Sequence, residues 1–148
     1  MIKNKFKVYL DFDGTVVEHD YPRIGRCNFG SIEVIKKLQD AGHEIILNTY
    51  RVNCNDNSLK EALKYLNEDY WMVLKDTTDL DLELKPITNY TPSKIHPLNW
   101  DWSQFFKYDV IYIDDISANI PLKNSCFVQQ QMVDWDELDR QFKENNIY

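Results

Sequence analysis

A three-layer α/β fold around a doubly wound parallel sheet is what these 148 residues predict. Three observations lead there. Short β-prone runs alternate with helical patterns, as in successive βαβ units with right-handed crossovers. Runs such as Glu44-Ile45-Ile46-Leu47 are apolar without alternation, as parallel strands buried on both faces are. Residues suited to chemistry also gather where those runs end, and a doubly wound sheet binds its ligands outside the carboxyl ends of its strands.

The elements follow in order. A first strand spans about Phe6–Phe12, and a polar stretch with Pro and Gly runs from Glu18 to Gly30. Ile32, Ile35 and Leu38 then recur at helical spacing behind Ser31, which suits an N-cap, and Ala41-Gly42 ends that helix. A second strand covers 44–49. Asn57-Ser58 caps a second helix whose face carries Leu59, Ala62, Leu63 and Leu66. Trp71–Leu74 reads as a third strand, Asp109–Ile113 as a fourth and Ser125–Val128 as a short last one. Asp134, with Glu137 three positions on, starts a closing helix with a capping box. The whole chain, 1–148, reads as a single domain with a long insertion at about 75–107, polar and punctuated by proline. Trp100 and Trp102 are expected to anchor that insertion to the core.

A formal net charge of −7 argues against a broad nucleic-acid-binding face, leaving room only for a local basic groove, and against docking on an anionic membrane. No apolar run approaches a membrane span, and the N-terminus runs straight into the first strand without a signal peptide. Cys27, Cys54 and Cys126 are far apart and odd in number, so neither a zinc site nor a disulfide framework is indicated; Cys126 reads as a core residue. These features together predict a cytoplasmic protein.

Three strand ends carry the chemistry. The first delivers Asp11-Phe12-Asp13-Gly14-Thr15. In an extended segment residues i and i+2 share a face, so Asp11 and Asp13 are expected to project together. Two neighbouring anions are tolerable when a cation or a shared proton sits between them. The second strand ends in Asn48-Thr49-Tyr50-Arg51 and the fourth in Asp114-Asp115. Each has a plainer reading: an acidic pair opening a turn, a β-prone threonine, a surface arginine, and for His19 a solvated loop histidine, with a substrate contact from the flap as the lesser alternative. Taken jointly, the carboxylates form a hard-cation site, with the Thr49 hydroxyl and nearby backbone N–H groups as donors for phosphoryl oxygens.

These three segments resemble motifs I, II and IV of the haloacid dehalogenase (HAD) superfamily: D-x-D-G-T at Asp11–Thr15, a strand-terminal Thr-x-Arg at Thr49–Arg51, and Asp114-Asp115 after an apolar strand. The similarity is to the small, nearly capless bacterial and phage members, over residues 6–68 and 108–116, and lapses over 75–107. Lys94, Lys107 and Lys85 compete for the motif III lysine, with Lys94 preferred. The resemblance implies a HAD-like Rossmannoid fold with a minimal cap or none, and a Mg²⁺-dependent phosphomonoester hydrolase working through a phosphoaspartyl intermediate. It implies Asp11 as nucleophile and Asp13 as general acid and base. The phosphate would be held by Thr49, Arg51, Lys94, Gly14 and Thr15. The metal would be held by Asp11, Asp13 (through its backbone carbonyl), Asp114 and Asp115. A thinly covered site suits a large phosphorylated substrate or a homo-oligomer that covers its own site. The alternative is a HAD-like regulatory module that binds a metal and a phosphorylated ligand without turnover.

Overall fold

The computed structural model describes residues 5–69, 75–76, 110–115, 120–125 and 130–148. Four parallel strands, β1 (Lys7–Leu10), β2 (Glu44–Leu47), β3 (Lys75–Asp76) and β4 (Val110–Ile113), form one sheet in the order β3-β2-β1-β4. The chain thus moves outward from β1 to β3 and then returns to the other side of β1. Helix α1 (Ser31–Asp40) connects β1 to β2, and α2 (Ser58–Lys64), continued by a π-helical turn over Tyr65–Asp69, follows β2. Sheet, helices and strand order are those of a Rossmann-like α/β fold.

β1 and β2 are shorter than the sequence predicts, ending at Leu10 and Leu47. The strand expected at Trp71–Leu74 lies outside the described residues, as do Trp100, Trp102, Cys126 and almost all of the 75–107 insertion. Near the C-terminus an antiparallel hairpin pairs β5 (Leu122–Asn124) with β6 (Gln131–Val133). Ser125, expected to begin a strand, lies just past β5. These strands are three residues each and β5 buries none of them fully, which is too little pattern to read from sequence.

Capping also differs in detail. Gly30, at φ +86°, takes the N-cap position of α1, and Ser31 sits inside the helix with its hydroxyl donating 3.0 Å to the Val16 carbonyl. Gly42, at φ +92°, ends α1 in the left-handed conformation that glycine adopts without steric cost. At α2 the Asn57 side chain makes no cap; the Asp56 carboxylate accepts from the Ser58 N–H at 2.9 Å instead. The last helix, α3 (Trp135–Glu144), has Asp134 as N-cap, accepting from the Glu137 N–H at 3.3 Å. The reciprocal half of the box is missing. Glu137 turns to Arg140, and the Asp134 N–H goes to the Pro121 carbonyl.

Val8, Leu10 and Phe12 from the first strand segment, Ile35 and Leu38 from α1, and Trp135, Leu138 and Phe142 from α3 belong to one buried apolar cluster. Each such side chain is worth about 1.5–3 kcal/mol of burial. This core also fixes the loop after β1. The Trp135 indole donates to the Thr15 carbonyl at 2.7 Å, the Asn28 amide to the Thr15 and Val133 carbonyls at 2.9 and 2.8 Å, and the Val133 N–H to the Gly14 carbonyl at 3.0 Å. Among the described residues no helix is long and apolar enough to cross a membrane. Asp134→Ala is expected to lower the free energy of unfolding by about 1 kcal/mol in urea titrations, the ordinary cost of an N-cap.

Candidate functional site

Strand register places the acidic residues. β1 pairs with β4 so that Leu10 lies opposite Ile113, and the Asp11 N–H donates to the Ile113 carbonyl at 2.9 Å. The next residue on each strand is an aspartate, so Asp11 and Asp114 emerge side by side from neighbouring strand ends. With Asp115 they offer carboxylate oxygens that all lie within 4.8 Å of one another, Asp11 and Asp114 being buried. On the far side of β1, Leu47 lies opposite Leu10 and the Asn48 N–H donates to the Leu10 carbonyl at 2.7 Å. Thr49 follows. The cluster sits between β1 and β4, where the strand order reverses, the place at which open α/β sheets bind ligands.

Like charges at this spacing leave their mark on ionisation. Burial, and then the charges of Asp114 and Asp115, hold the Asp11 carboxyl well above the usual carboxylate range, against hydrogen bonds from the Phe12 N–H and the Thr15 hydroxyl. Burial also acts to raise Asp115, but hydrogen bonds from His19 and Asp114 outweigh it and bring that carboxyl below its ordinary value. Three carboxylates with oxygens this close repel one another, and such a donor set fits a hard divalent cation, which would offset that repulsion.

Asp13 does not join them. β1 ends at Leu10, Gly14 turns the chain at φ +77°, and the extended geometry that would have aligned Asp13 with Asp11 stops short of it. Its carboxylate is instead held by Arg51 in a two-pronged pair, Nε to Oδ2 at 2.8 Å and Nη2 to Oδ1 at 2.7 Å. The backbone carbonyl, which the resemblance assigns to the metal, is then the group of Asp13 left for that role. Arg51 was expected to bind phosphate. It is buried, 1% exposed, and every N–H of its guanidinium is used: two on Asp13 and the others on the carbonyls of Pro22, Ser58 and Arg23 at 3.2, 3.0 and 2.8 Å. The Phe12 and Tyr21 rings lie against it, 4.9 and 5.2 Å from Cζ.

The remaining phosphate candidates divide. Thr49 is buried at the N-cap of the 3-10 turn Tyr50–Asn53; its hydroxyl oxygen accepts from the Arg51 N–H at 3.2 Å, and its proton has no partner among the described residues. The Gly14 and Thr15 N–H groups are spent inside the turn, on the carbonyls of Val17 and Phe12 at 2.8 and 3.2 Å. The Thr15 hydroxyl donates to Asp11 at 3.0 Å. Lys94, Lys107 and Lys85 lie outside the described residues.

No family model matches the chain and no curated protein matches it. It is similar to a solved conserved protein from Bacteroides thetaiotaomicron, with a TM-score of 0.59 and 25% identity over 96% of this chain and 93% of that one. The likeness supports the Rossmann-like α/β fold.

His19, read from sequence first as a solvated loop histidine, stands against the acidic cluster. The Nε2 of His19 lies 3.0 Å from Asp115 and 3.3 Å from the Gln131 carbonyl, and the Asp115 carboxylate holds the imidazole above its usual pKa against the effect of burial. A β-carbon at Gly14 would fall 2.1 Å from that ring nitrogen, so glycine is needed there for contact as well as for conformation. No local pattern announces this: the contact joins a polar loop to the end of β4.

Two outcomes follow. With Asp11 raised, the native state holds a proton that the unfolded chain has released above the ordinary carboxylate range. Stability from this group is thus present at low pH and lost as pH climbs toward the raised value. In chelator, the melting temperature of the native protein should therefore fall relative to Asp11→Asn as pH rises from about 4 toward neutrality, read by thermal unfolding. Arg51→Met, which strands the Asp13 charge and three carbonyls, should cost about 3–5 kcal/mol in urea unfolding.

Proposed function

We propose that the chain is a HAD-like Mg²⁺-dependent phosphomonoester hydrolase with a minimal cap, its sheet covered by helices on both faces. The observation that carries this reading is the meeting of Asp11, Asp114 and Asp115 at the ends of β1 and β4. The resemblance in motifs I, II and IV supplies the chemistry. Asp11, Asp114 and Asp115 would hold the ion, whose charge would offset repulsion between the nucleophile and the phosphate when bound.

The chain's own groups then have defined tasks. An Asp11 carboxylate oxygen attacks phosphorus in line; the new O–P bond forms as the ester P–O bond breaks, leaving an acyl phosphate on Asp11. Asp13, a short turn away, gives a proton to the departing oxygen and afterwards takes one from the water that attacks the acyl phosphate. Arg51 fixes where that carboxylate points, through two bonds at 2.7 and 2.8 Å that leave each oxygen a second lone pair. The Thr49 hydroxyl donates to a phosphoryl oxygen.

A second reading is favoured by one observation. The same two-pronged pair makes Asp13 the structural counter-ion of a buried guanidinium, as it would be in a module that binds metal and phosphorylated ligand without turnover.

Turnover of p-nitrophenyl phosphate with Mg²⁺ separates the two. The hydrolase reading expects activity that disappears in chelator and in Asp11→Asn. It expects Asp13→Asn, checked for folding by circular dichroism, to lower kcat by about 10²–10⁴-fold while retaining Mg²⁺ binding. Equal rates in the native protein and Asp11→Asn would refute the nucleophile.

A further inference from the structure

The turn that follows Asp11 is held from outside by a closed chain of hydrogen bonds. The Gly14 carbonyl accepts from the Val133 N–H at 3.0 Å, and the Val133 carbonyl accepts from the Asn28 carboxamide at 2.8 Å. The same carboxamide nitrogen donates to the Thr15 carbonyl at 2.9 Å, and the Trp135 indole donates to that carbonyl at 2.7 Å. Thr15 in turn gives its hydroxyl to Oδ2 of Asp11 at 3.0 Å. We propose that Trp135 and Asn28 are positioning residues for the nucleophile, acting on Asp11 through Thr15. That Asp11 attacks phosphorus rests on the hydrolase reading; the tether adds what orients its carboxylate.

Each link is stiff where it needs to be. A carbonyl oxygen has two lone pairs, and at Thr15 both are met by donors from outside the turn. The Thr15 N–H is bound to the Phe12 carbonyl at 3.2 Å, so the backbone is held on either side of this residue. Threonine is β-branched and restricted at χ1. A fixed backbone therefore fixes where its hydroxyl lies. Asp11 is the opposite case. The terminal torsion of an aspartate is broad, so the plane of its carboxylate is set by what binds it. Among the described residues, the donors on that carboxyl are the Phe12 N–H and the Thr15 hydroxyl, while its other neighbours in the cluster are carboxyl groups. A reacting atom displaced by about 1 Å can cost roughly 10²-fold in rate, so this orientation bears on turnover.

Burial narrows what these residues can do. Thr15 and Trp135 are fully buried, so neither reaches a substrate directly. Asn28 is buried as well, and its Oδ1 has no partner among the described residues. A buried acceptor left unmet costs stability. What asparagine contributes here is its pair of N–H bonds, one of them to Thr15.

A double-variant cycle on the full chain tests the tether. Thr15→Val removes the hydroxyl, and Trp135→Phe removes the indole N–H while refilling much of the ring's volume. Circular dichroism and thermal unfolding check that each variant is folded. With p-nitrophenyl phosphate and Mg²⁺, Trp135→Phe should lower kcat about fivefold, the return on one net hydrogen bond, with KM unchanged. In the Thr15→Val background the same substitution should change kcat by less than about twofold, because the hydroxyl it positions is gone. Asn28→Leu should show the same dependence on Thr15, and replaces Trp135→Phe should that variant not fold. A substitution that merely loosened the fold would lower kcat equally in both backgrounds. The dissociation constant of Mg²⁺, read by calorimetry without substrate, should follow the same pattern, since the ion meets the same carboxylate. Equal losses in both backgrounds, a rise in KM with kcat intact, or no effect of either substitution would each overturn the tether. Without turnover in the native protein the hydrolase falls and the Mg²⁺ cycle decides: dependence on Thr15 keeps the tether, additivity overturns it. Turnover with additive losses would remove the tether and keep the hydrolase.

Discussion

The ion pair of Arg51 with Asp13 is the constraint around which the upper surface of the sheet is arranged. A guanidinium at 1% exposure is sustainable only if all its N–H groups are met, and here they are met by segments with nothing else in common: the turn after β1, the strap at residues 22 and 23, and the start of α2. One side chain at the end of β2 therefore sets the loop geometry that borders the acidic cluster.

That pairing also divides two aspartates that are close in sequence into opposite electrostatic settings. Asp11 faces other carboxylates and is driven toward its protonated form; Asp13 faces a fixed cation. Separating a pair of carboxyl groups by environment is how one fold assigns them different tasks. The separation is achieved by ending a strand early. Had β1 continued to Asp13, both side chains would have projected from the same face of the strand.

Much of this was legible in the residues. The positions of Asp11, Asp114 and Asp115 at strand ends follow from apolar runs that stop where acids begin, and the N-cap of α3 from Asp134 ahead of Glu137. Less legible were features made by distant residues. A buried arginine reads as a surface charge or a phosphate ligand until its four partner residues are seen, because none is adjacent in sequence. Gly14 signals a turn, but that it also makes room for His19 depends on where β6 brings the Gln131 carbonyl. The β5–β6 hairpin has too few apolar residues for its period to show.

The pairing of β1 with β4 has a further consequence. Leu10 and Ile113 are joined across roughly a hundred residues of chain, and the two aspartates become neighbours only if that alignment is correct. A shift by a single residue would turn one of them toward the interior of the sheet. Assembly of the acidic cluster is therefore the same event as closing this long loop, a slow and entropically costly step. A divalent ion that recognises only the closed arrangement would then act as a clasp on the fold, holding the edge strand in place with whatever affinity it has for the cluster.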